Sequence, residues 1–277
     1  MPPLPVLTAL RYVQPLREGG SLPAVVDTED GLYVVKFRGA GQGPKALLAE
    51  ILCARLAELL GLPVPDLALV ATGEAFGRGE PDPEIQDLLR ASVGLNVGLR
   101  YLDGAFNFAP SAAPDVIDRE LAARVVWFDA LTTNPDRTHR NVNILVWQRR
   151  PWLIDHGAAL YAHHDWPSVD RDRTRTPFPL VRHHVLLGVA GDLLAADAAL
   201  APRLDRDRLA EVVAALPDEL LRDDRIAADF PSAEAARERY LDYLLTRLEA
   251  PRAFVVAAAE AQQALRAQPA VRLSSRR

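Results

Sequence analysis

The order of secondary-structure patterns along the chain restricts its fold more than any other sequence feature. Short apolar, β-branched runs and one helical segment fill roughly the first 104 residues, whereas the chain beyond residue 185 is alanine-rich and helical. A doubly wound parallel sheet would need regular alternation of strands and helices, which this order does not provide. The sequence therefore predicts an α+β fold. The predicted strands are 22–27, 32–38, 67–72 and 94–102, and the clearest predicted helices are 44–60 and 118–133.

Composition narrows the class of protein further. The 277 residues are 49% hydrophobic and 25% charged, which is typical of one large or two modest globular domains. No apolar run is long enough for a membrane span, and no signal peptide is expected at the N-terminus. The single Cys53 excludes a disulfide framework, so we expect a cytoplasmic protein. The net charge of −5 argues against a nucleic-acid partner.

Lysine is rare in this chain and occurs only at Lys36 and Lys45, because arginine supplies the other 30 of the 32 basic residues. Lys36 lies near the end of an apolar predicted strand. Glu50 lies on a face of mostly small residues in the predicted helix 44–60. A buried carboxylate is costly without a partner, so Glu50 either reaches solvent or pairs with a cation such as Lys36.

The densest group of polar residues lies between positions 134 and 157. Two apolar runs, 144–147 and 152–154, flank a polar turn and predict a β-hairpin. Asp136 and Asn141 precede its first strand, and Asp155 follows its second strand. These three side chains should therefore meet at one end of a small sheet.

An Asp, an Asn five residues later and an Asp after a hairpin form the pattern of kinase-like phosphotransferases. In that chemistry the first Asp accepts or orients the proton of the attacking hydroxyl, and the Asn and second Asp hold Mg²⁺. The residue types fit because Mg²⁺ prefers oxygen ligands. The spacing of Asp136 and Asn141 is weak by itself, and the hairpin with Asp155-His156-Gly157 makes it more specific.

Over these residues the chain resembles the HipA-like kinases, within the group that includes type II phosphatidylinositol 4-kinases and secretory-pathway kinases. The resemblance is strongest over 134–141, continues through 153–157, and extends weakly to Lys36 and Glu50. It implies that Asp136 is the catalytic Asp and that Lys36 contacts the α- and β-phosphates, positioned by Glu50. Asn141 and Asp155 would be the metal ligands, with ATP and Mg²⁺ as cofactors.

The resemblance also implies a two-lobed, protein-kinase-like fold. The small β-rich N-lobe would span 1–104 and the mostly helical C-lobe 105–277, with ATP in the cleft between them. A hinge at 101–104 would bring Tyr101 and Asp103 to the nucleotide. Gly19, Gly20 and Ser21 form a glycine-containing loop between strands, which is either a cover for the phosphates or a plain turn.

Several other patterns are weaker. The stretch 41–46 fits a dinucleotide fingerprint, but no regular βαβ order follows it, and it also fails as a Walker A loop. We interpret the stretch 41–46 instead as a mobile loop near the phosphates that contains Lys45. The histidine pairs at 163–164 and 183–184 do not indicate a metal site. The mixed charge run 170–175 is either a solvated face or a substrate contact. His139 departs by one position from the family pattern, which favours a structural or solvent-exposed residue.

By resemblance the phosphate acceptor is a protein serine or threonine. The residues leave two alternatives open: a kinase for a small molecule or lipid, and a nucleotide-binding pseudokinase. Transfer of AMP in place of phosphate also remains open. Toxins of the family carry an additional N-terminal subdomain that this chain is expected to lack, which argues against an antitoxin partner.

Overall fold

The computed structural model describes residues 1–16 and 22–267. The predicted phosphate cover at Gly19, Gly20 and Ser21 therefore lies outside the described residues. The strands are β1 Val6–Pro15, β2 Ala24–Thr28, β3 Gly31–Lys36, β4 Leu67–Thr72, β5 Gly94–Arg100, β6 Phe106–Asn107, β7 Ile144–Trp147 and β8 Arg150–Leu153. The helices are α1 Gly43–Leu60, α2 Pro83–Arg90, α3 Ala113–Val116, α4 Arg119–Leu131, α5 Arg171–Thr174, α6 Leu193–Leu200, α7 Arg206–Ala214, α8 Asp218–Leu221, α9 Asp224–Ala227, α10 Ala233–Leu248 and α11 Ala253–Ala267. This mixture confirms the α+β class.

The first five strands form a closed barrel in the order β1-β2-β3-β5-β4. Parallel pairing of β1 with β4, which sets Val6 opposite Leu69, closes it. The predicted hairpin is confirmed as β2 and β3, whose ends Thr28 and Gly31 are paired. The glycine-containing stretch after β3 leads through α1 to β4, which does not pair with β3, because β5 lies between them and is antiparallel to both. This differs from the directly paired parallel strands of a dinucleotide-binding βαβ unit and agrees with rejecting a dinucleotide fingerprint.

Helix α2 closes the apolar interior of the barrel, and the sequence patterns did not predict it. Ile85 and Leu89 are four residues apart on one face of α2, and both are buried with barrel residues such as Val35 and Val70. Asp82 caps this helix by accepting a hydrogen bond from the backbone N–H of Glu84 at 3.0 Å. The barrel thus has a core of its own, separate from the larger core of the molecule.

Helix α1 is the predicted helix 44–60, and it is buried on nearly every side between the barrel and the C-terminal helices. It ends at Gly61, whose left-handed φ of 69° turns the chain back towards β4. The prediction that Lys45 lies in a mobile loop is wrong. Lys45 lies in the first turn of α1, because Pro44 is favourable at the start of a helix, and its Nζ bonds Asp229 at 2.9 Å.

Strands β6, β7 and β8 form a small antiparallel sheet, which confirms the predicted hairpin as β7 and β8. Helix α4 begins after Asp118, which caps it as predicted by accepting a hydrogen bond from Leu121 N at 2.7 Å. Beyond residue 185 the described chain is mostly helical, as predicted.

Ion pairs connect the barrel end with the C-terminal helices. Arg38, just after β3, pairs with Glu219 at 2.6 Å and with Asp223 at 3.2 Å. Among residues 1–16 and 22–267, no helix combines the length and apolarity that a membrane crossing requires.

Candidate active site

Lys36 joins two carboxylates that come from distant parts of the chain. Its Nζ donates to Oε1 of Glu50, on α1, and to Oδ1 of Asp155, after β8, at 2.5 Å. The Glu50 side chain is fully buried, that of Lys36 is 11% exposed, and that of Asp155 is 42% exposed. The predicted contact between Lys36 and Glu50 is therefore confirmed. The contact with Asp155 adds a carboxylate that is buried on one side and open to solvent on the other.

The charges of these three groups depend on one another. Burial disfavours the charge of Lys36, but Glu50 and Asp155 outweigh it and raise the pKa of the ammonium above its usual value. Burial raises the pKa of Glu50, and Lys36 opposes this only in part. For Asp155 the same ammonium outweighs burial, so the pKa of this carboxyl lies below its usual value. The charged form of Lys36 is thus favoured, and of its two partners Asp155 is the one whose ionised form is favoured.

Gly157 lets this ion pair approach the backbone closely. A Cβ at position 157 would lie 3.3 Å from Glu50 Oε1 and 3.6 Å from Lys36 Nζ. The predicted Asp-x-Gly pattern therefore has a glycine at this position because the ion pair leaves little room for a side chain. Asp155 itself has a left-handed φ of 54°, a conformation that is uncommon outside glycine but that aspartate tolerates better than most residues.

Asp136 lies in the loop before β7, where two asparagine side chains hold its carboxylate. Asn141 Nδ2 donates to Asp136 Oδ2 at 2.6 Å, and Asn143 Nδ2 donates to the same oxygen at 3.1 Å. Asn143 Nδ2 also lies 3.5 Å from the backbone oxygen of Asp155. Asn143 therefore connects the Asp136 loop with the Asp155 loop, which brings the predicted catalytic and metal-ligand positions into one site.

A buried network supports the loop from below. Arg137, which is 1% exposed, donates from Nε to Asp129 Oδ2 of α4 at 2.6 Å. Its Nη1 donates to the backbone oxygens of Asn143 and Ile154, the latter at 3.3 Å. Asn134 Nδ2 donates to the other oxygen of Asp129 at 3.0 Å. One guanidinium thus connects both ends of the β7–β8 hairpin to α4.

Two histidines complete this network, and both are neutral near pH 7. His156 Nδ1 lies 3.2 Å from Arg137 Nη2, and His184 Nε2 lies 2.9 Å from Asp129 Oδ2. Burial, reinforced by the charge of Arg137, lowers the pKa of His156 to about 3. Burial also lowers the pKa of His184, although Asp129 opposes it. Despite its own burial, Asp129 keeps a pKa well below its usual range because Arg137 and His184 lie against it.

The sequence patterns did not predict the supporting roles of Asp129, Asn143 and Arg137, although the sequence gives an indication for the first two. Asp129 interrupts the apolar run of α4, and a buried acid there requires a partner. Asn143 repeats the residue type of Asn141 two positions later. Arg137 carried no signal, because it is one of 30 arginines in the chain.

Tyr101 and Asp103, the predicted hinge residues, form no hydrogen bond with this cluster within residues 1–16 and 22–267. Tyr101 donates its backbone N–H to Leu32 O at 2.9 Å, and the backbone oxygen of Asp103 accepts from Trp147 Nε1 at 2.9 Å. Both lie between β5 and β6, where Gly104 has a φ of 76°. His139 is exposed, as expected of a residue outside the family register.

The residues around Asp136 fit a hard cation. The side-chain amide of Asn141 donates its N–H to Asp136, so the side-chain carbonyl oxygen is left as a ligand for a metal. Asp155 is ionised and partly open to solvent. No group of three or more His, Cys, Asp or Glu suited to a metal occurs in the described parts of the chain. An Mg²⁺ ion that also binds nucleotide phosphates needs only one or two carboxylate or carbonyl ligands from the protein.

Comparison with known proteins indicates the class of this site. A family model described as HipA-like kinase matches residues 11–170. Among solved structures, the crystal structure of the Helicobacter pylori proinflammatory kinase CtkA resembles the chain with a TM-score of 0.56. It is 13% identical, and the match covers 96% of this chain and 100% of that one. At this identity the likeness shows a shared fold alone. No curated protein matches the chain.

Proposed function

The chain belongs to the HipA-like kinase family, and from that premise we propose that it transfers the γ-phosphoryl group of Mg-ATP to a serine or threonine hydroxyl of a protein. The observation that carries the proposal is the contact of one lysine with both Glu50 and Asp155. A helix, a barrel strand and the end of a hairpin meet there, beside the Asp136 loop. Such an arrangement suits a polyanionic nucleotide held by a fixed cation.

The proposal divides the chain into two lobes. The barrel and α1 form the small lobe, residues 1–104, and residues 105–277 form the large lobe. ATP binds in the cleft between them, with Tyr101 and Asp103 at the hinge. Gly104, whose φ is 76°, is a residue without a side chain that can absorb a change of backbone angles at this point.

Each polar residue then has one task in the transfer. Lys36 Nζ orients the α- and β-phosphates, and Glu50 holds the ammonium in place. Asp136, whose carboxylate is oriented by Asn141 and Asn143, accepts the proton of the attacking hydroxyl. Asn141 and Asp155 would hold Mg²⁺, which would neutralise part of the charge on the phosphate oxygens. Positioning and electrostatic stabilisation, rather than covalent chemistry, provide the rate enhancement.

Two variants separate binding from chemistry. Asp136→Ala should keep the rise in melting temperature that Mg-ATP produces but lose turnover by at least about 10²-fold, the lower range for a positioned acid–base group. Asp155→Ala should lose the part of that rise that depends on Mg²⁺, because ligand binding stabilises only the folded state. Thermal melts with ATP in Mg²⁺ or in EDTA, together with ATP turnover, measure both effects.

Asp242→Ala is the matched control, because Asp242 is an exposed carboxylate on α10 outside the site. It should behave as the wild type in both measurements. Equal stabilisation of wild type and Asp155→Ala by Mg-ATP would contradict the metal assignment. Loss of ATP binding in a folded Asp136→Ala variant would contradict the role of Asp136. Mass spectrometry of a lysate incubated with the kinase and Mg-ATP identifies the transferred group and its acceptor.

A further inference from the structure

An exposed basic surface lies beside the Asp136 loop, and the chemistry proposed above does not use it. Thr138 pairs with His184 as an isolated antiparallel bridge, and Val185 N donates to Arg137 O at 3.0 Å. The bridge brings the residues that follow Thr138 next to the residues that precede His184. These neighbours are four exposed basic residues, which we call the basic surface: His139, Arg140, Arg182 and His183.

The two arginines of the basic surface have no counter-charge. Neither of them has a carboxylate partner within residues 1–16 and 22–267. Arg182 Nε donates to His183 Nε2 at 3.0 Å, and the side chain of Arg140 forms no hydrogen bond in the same part of the chain. By contrast, Arg137 of the same loop pairs with Asp129. Two exposed guanidinium groups are therefore available to bind an anion.

The segments that form the basic surface contain no acid that would offset its charge. The chain has 37 acidic residues, but none of them lies within 137–154 or within 173–191. The carboxylate of Asp136, which precedes the first of these segments, accepts hydrogen bonds from Asn141 and Asn143. In a chain with a net charge of −5, this local excess of cations attracts anions to the one loop that carries Asp136.

A cavity of about 550 Å³ adjoins both the Asp136 loop and the basic surface. Pro135, which immediately precedes Asp136, lines the cavity, and so does Leu180, two positions before Arg182. The volume lies within the range of ligand-binding pockets. The cavity and the basic surface are therefore neighbouring parts of one region.

The cavity also carries an uncompensated positive charge. Arg247 lines it and is 4% exposed, and its guanidinium donates to backbone oxygens, the nearest at 2.7 Å, but to no carboxylate in the described parts of the chain. Asp165 is the one acid among the described residues that line the cavity, and it lies 4.0 Å from Arg173 Nη1. A buried charge without a counter-ion is costly, so an anion that enters the cavity is favoured.

Building on the proposed function, we propose that the basic surface and the cavity recognise an acidic segment of the protein substrate. This segment carries aspartate, glutamate or phosphorylated residues within a few positions of the accepting serine or threonine. The observation that carries the proposal is that guanidinium groups without carboxylate partners lie on both segments beside Asp136. Carboxylates and phosphates suit them, because arginine binds these groups through charge-assisted, paired hydrogen bonds.

The size of the basic region favours a short acidic segment over a nucleic acid. The phosphates of a nucleic acid extend along its whole length and require a basic stripe of matching length. Outside the basic region, the chain carries the acidic residues that give it a net charge of −5. These residues would repel an extended polyanion, whereas a few carboxylates near the acceptor meet only the basic surface.

Three peptides test the proposal, identical except that the residues flanking the accepting serine are Glu, Gln or Lys. With radiolabelled Mg-ATP, the wild type should have its lowest KM for the Glu peptide and its highest KM for the Lys peptide. This order should weaken at high salt, which screens exposed charges. The double variant Arg140→Gln with Arg182→Gln should raise the KM for the Glu peptide about three- to tenfold, because exposed ion pairs contribute modestly. The KM values for the Gln peptide and for ATP should stay close to those of the wild type.

Arg78→Gln with Arg206→Gln is the matched control, because both are exposed arginines without a carboxylate partner in the described parts of the chain. Arg78 lies between β4 and α2, and Arg206 begins α7, so both are outside the basic surface. This control removes the same charge and should leave the KM for each peptide unchanged.

Equal KM values for the three peptides would overturn the inference and leave the kinase function standing. An equal rise of KM for the Glu and Gln peptides in the Arg140 and Arg182 double variant would also overturn it, because the loss would then be structural. A rise in the KM for ATP would assign the two arginines to the nucleotide instead. Transfer to phosphoinositide vesicles, or transfer that only RNA stimulates, without transfer to the Glu peptide, would likewise overturn it. An enzyme with no ATP turnover at all would contradict the proposed function itself, and the inference with it.

Discussion

The position between Glu50 and Asp155 requires a lysine, and Lys36 supplies it. In a sequence that uses arginine for 30 of 32 basic residues, the position between Glu50 and Asp155 is a lysine. An ammonium is a compact charge that fits between two carboxylates, and it can also face a phosphate. A guanidinium is planar, wider and forked, and therefore does not replace it there.

Lys36→Arg should keep the fold but lower phosphoryl transfer by roughly 10²-fold or more, the typical effect of losing one positioned donor, because the wider guanidinium moves the charge away from its place. Lys45→Arg is the control, because Lys45 pairs with Asp229 at 2.9 Å and an arginine can keep that pair. It should leave transfer within a few-fold of the wild type. Initial rates of transfer and the melting temperature measure the two effects. Wild-type transfer by Lys36→Arg, with loss in Lys45→Arg, would make Lys45 the phosphate lysine.

At the scale of elements, the Asp136 loop depends on the guanidinium of Arg137. The loop has no regular structure of its own, and its ends lead from α4 to β7. Arg137 bonds Asp129 of α4 and the backbone oxygens of Asn143 and Ile154, which lie on both sides of the hairpin. Only the forked guanidinium of arginine can reach all three acceptors. A lysine ammonium at this position would leave buried carbonyl oxygens without hydrogen-bond donors.

Arg137→Lys should lower the free energy of unfolding by about 2–4 kcal/mol, since each unsatisfied buried group costs about 1–3 kcal/mol. It should also lower kcat more than it changes the KM for ATP, because Asp136 loses its orientation. Arg140→Lys, the same substitution at an exposed position of the same loop, should change stability by less than about 0.5 kcal/mol. Denaturant unfolding and steady-state kinetics give both quantities. A kcat of Arg137→Lys equal to that of the wild type would contradict the positioning role.

At the scale of the whole molecule, three buried histidines couple stability to pH. His156, His163 and His184 lie on separate segments, and burial lowers the pKa of each of them. For His156 the folded value is about 3, whereas an unfolded chain takes up the proton near pH 6.5. The unfolded state therefore binds more protons between these values, so stability falls as the pH drops from 6.5 towards 3.

His156→Asn should flatten this acid dependence, because the amide oxygen can accept from Arg137 but does not titrate. The slope of unfolding free energy against pH between 5.5 and 4 should decrease by about 1 kcal/mol per pH unit, close to the linkage value for one proton. His183→Asn, at an exposed histidine, is the control and should keep the slope. Urea unfolding at a series of pH values measures it, and an unchanged slope in His156→Asn would contradict the neutral buried state.

The sequence by itself determined several of the elements, though not α2, and the main candidates for chemistry. Apolar periodicity predicted the strand at 67–72 with the bounds that β4 has, and turn and cap residues located α1, α4 and the β7–β8 hairpin. The cost of an unpaired buried carboxylate predicted a partner for Glu50, which is Lys36. These features are local, or follow from one residue's own chemistry, so neighbouring residues suffice to reveal them. The roles of Asp136, Asn141 and Asp155 in transfer stay predictions.

Only the tertiary structure decided which distant groups meet. Closure of the barrel depends on β1 lying beside β4, and the third group at Lys36 is Asp155, 119 residues away. With 32 basic and 37 acidic residues, the pairing of Arg137 with Asp129 is one of very many that composition allows. The buried guanidinium of Arg247 likewise finds its backbone acceptors, the oxygens of Ala130, Leu131 and Thr174, only within the fold. Burial and mutual distance set these pairings, and both are properties of the packed chain rather than of any segment in it.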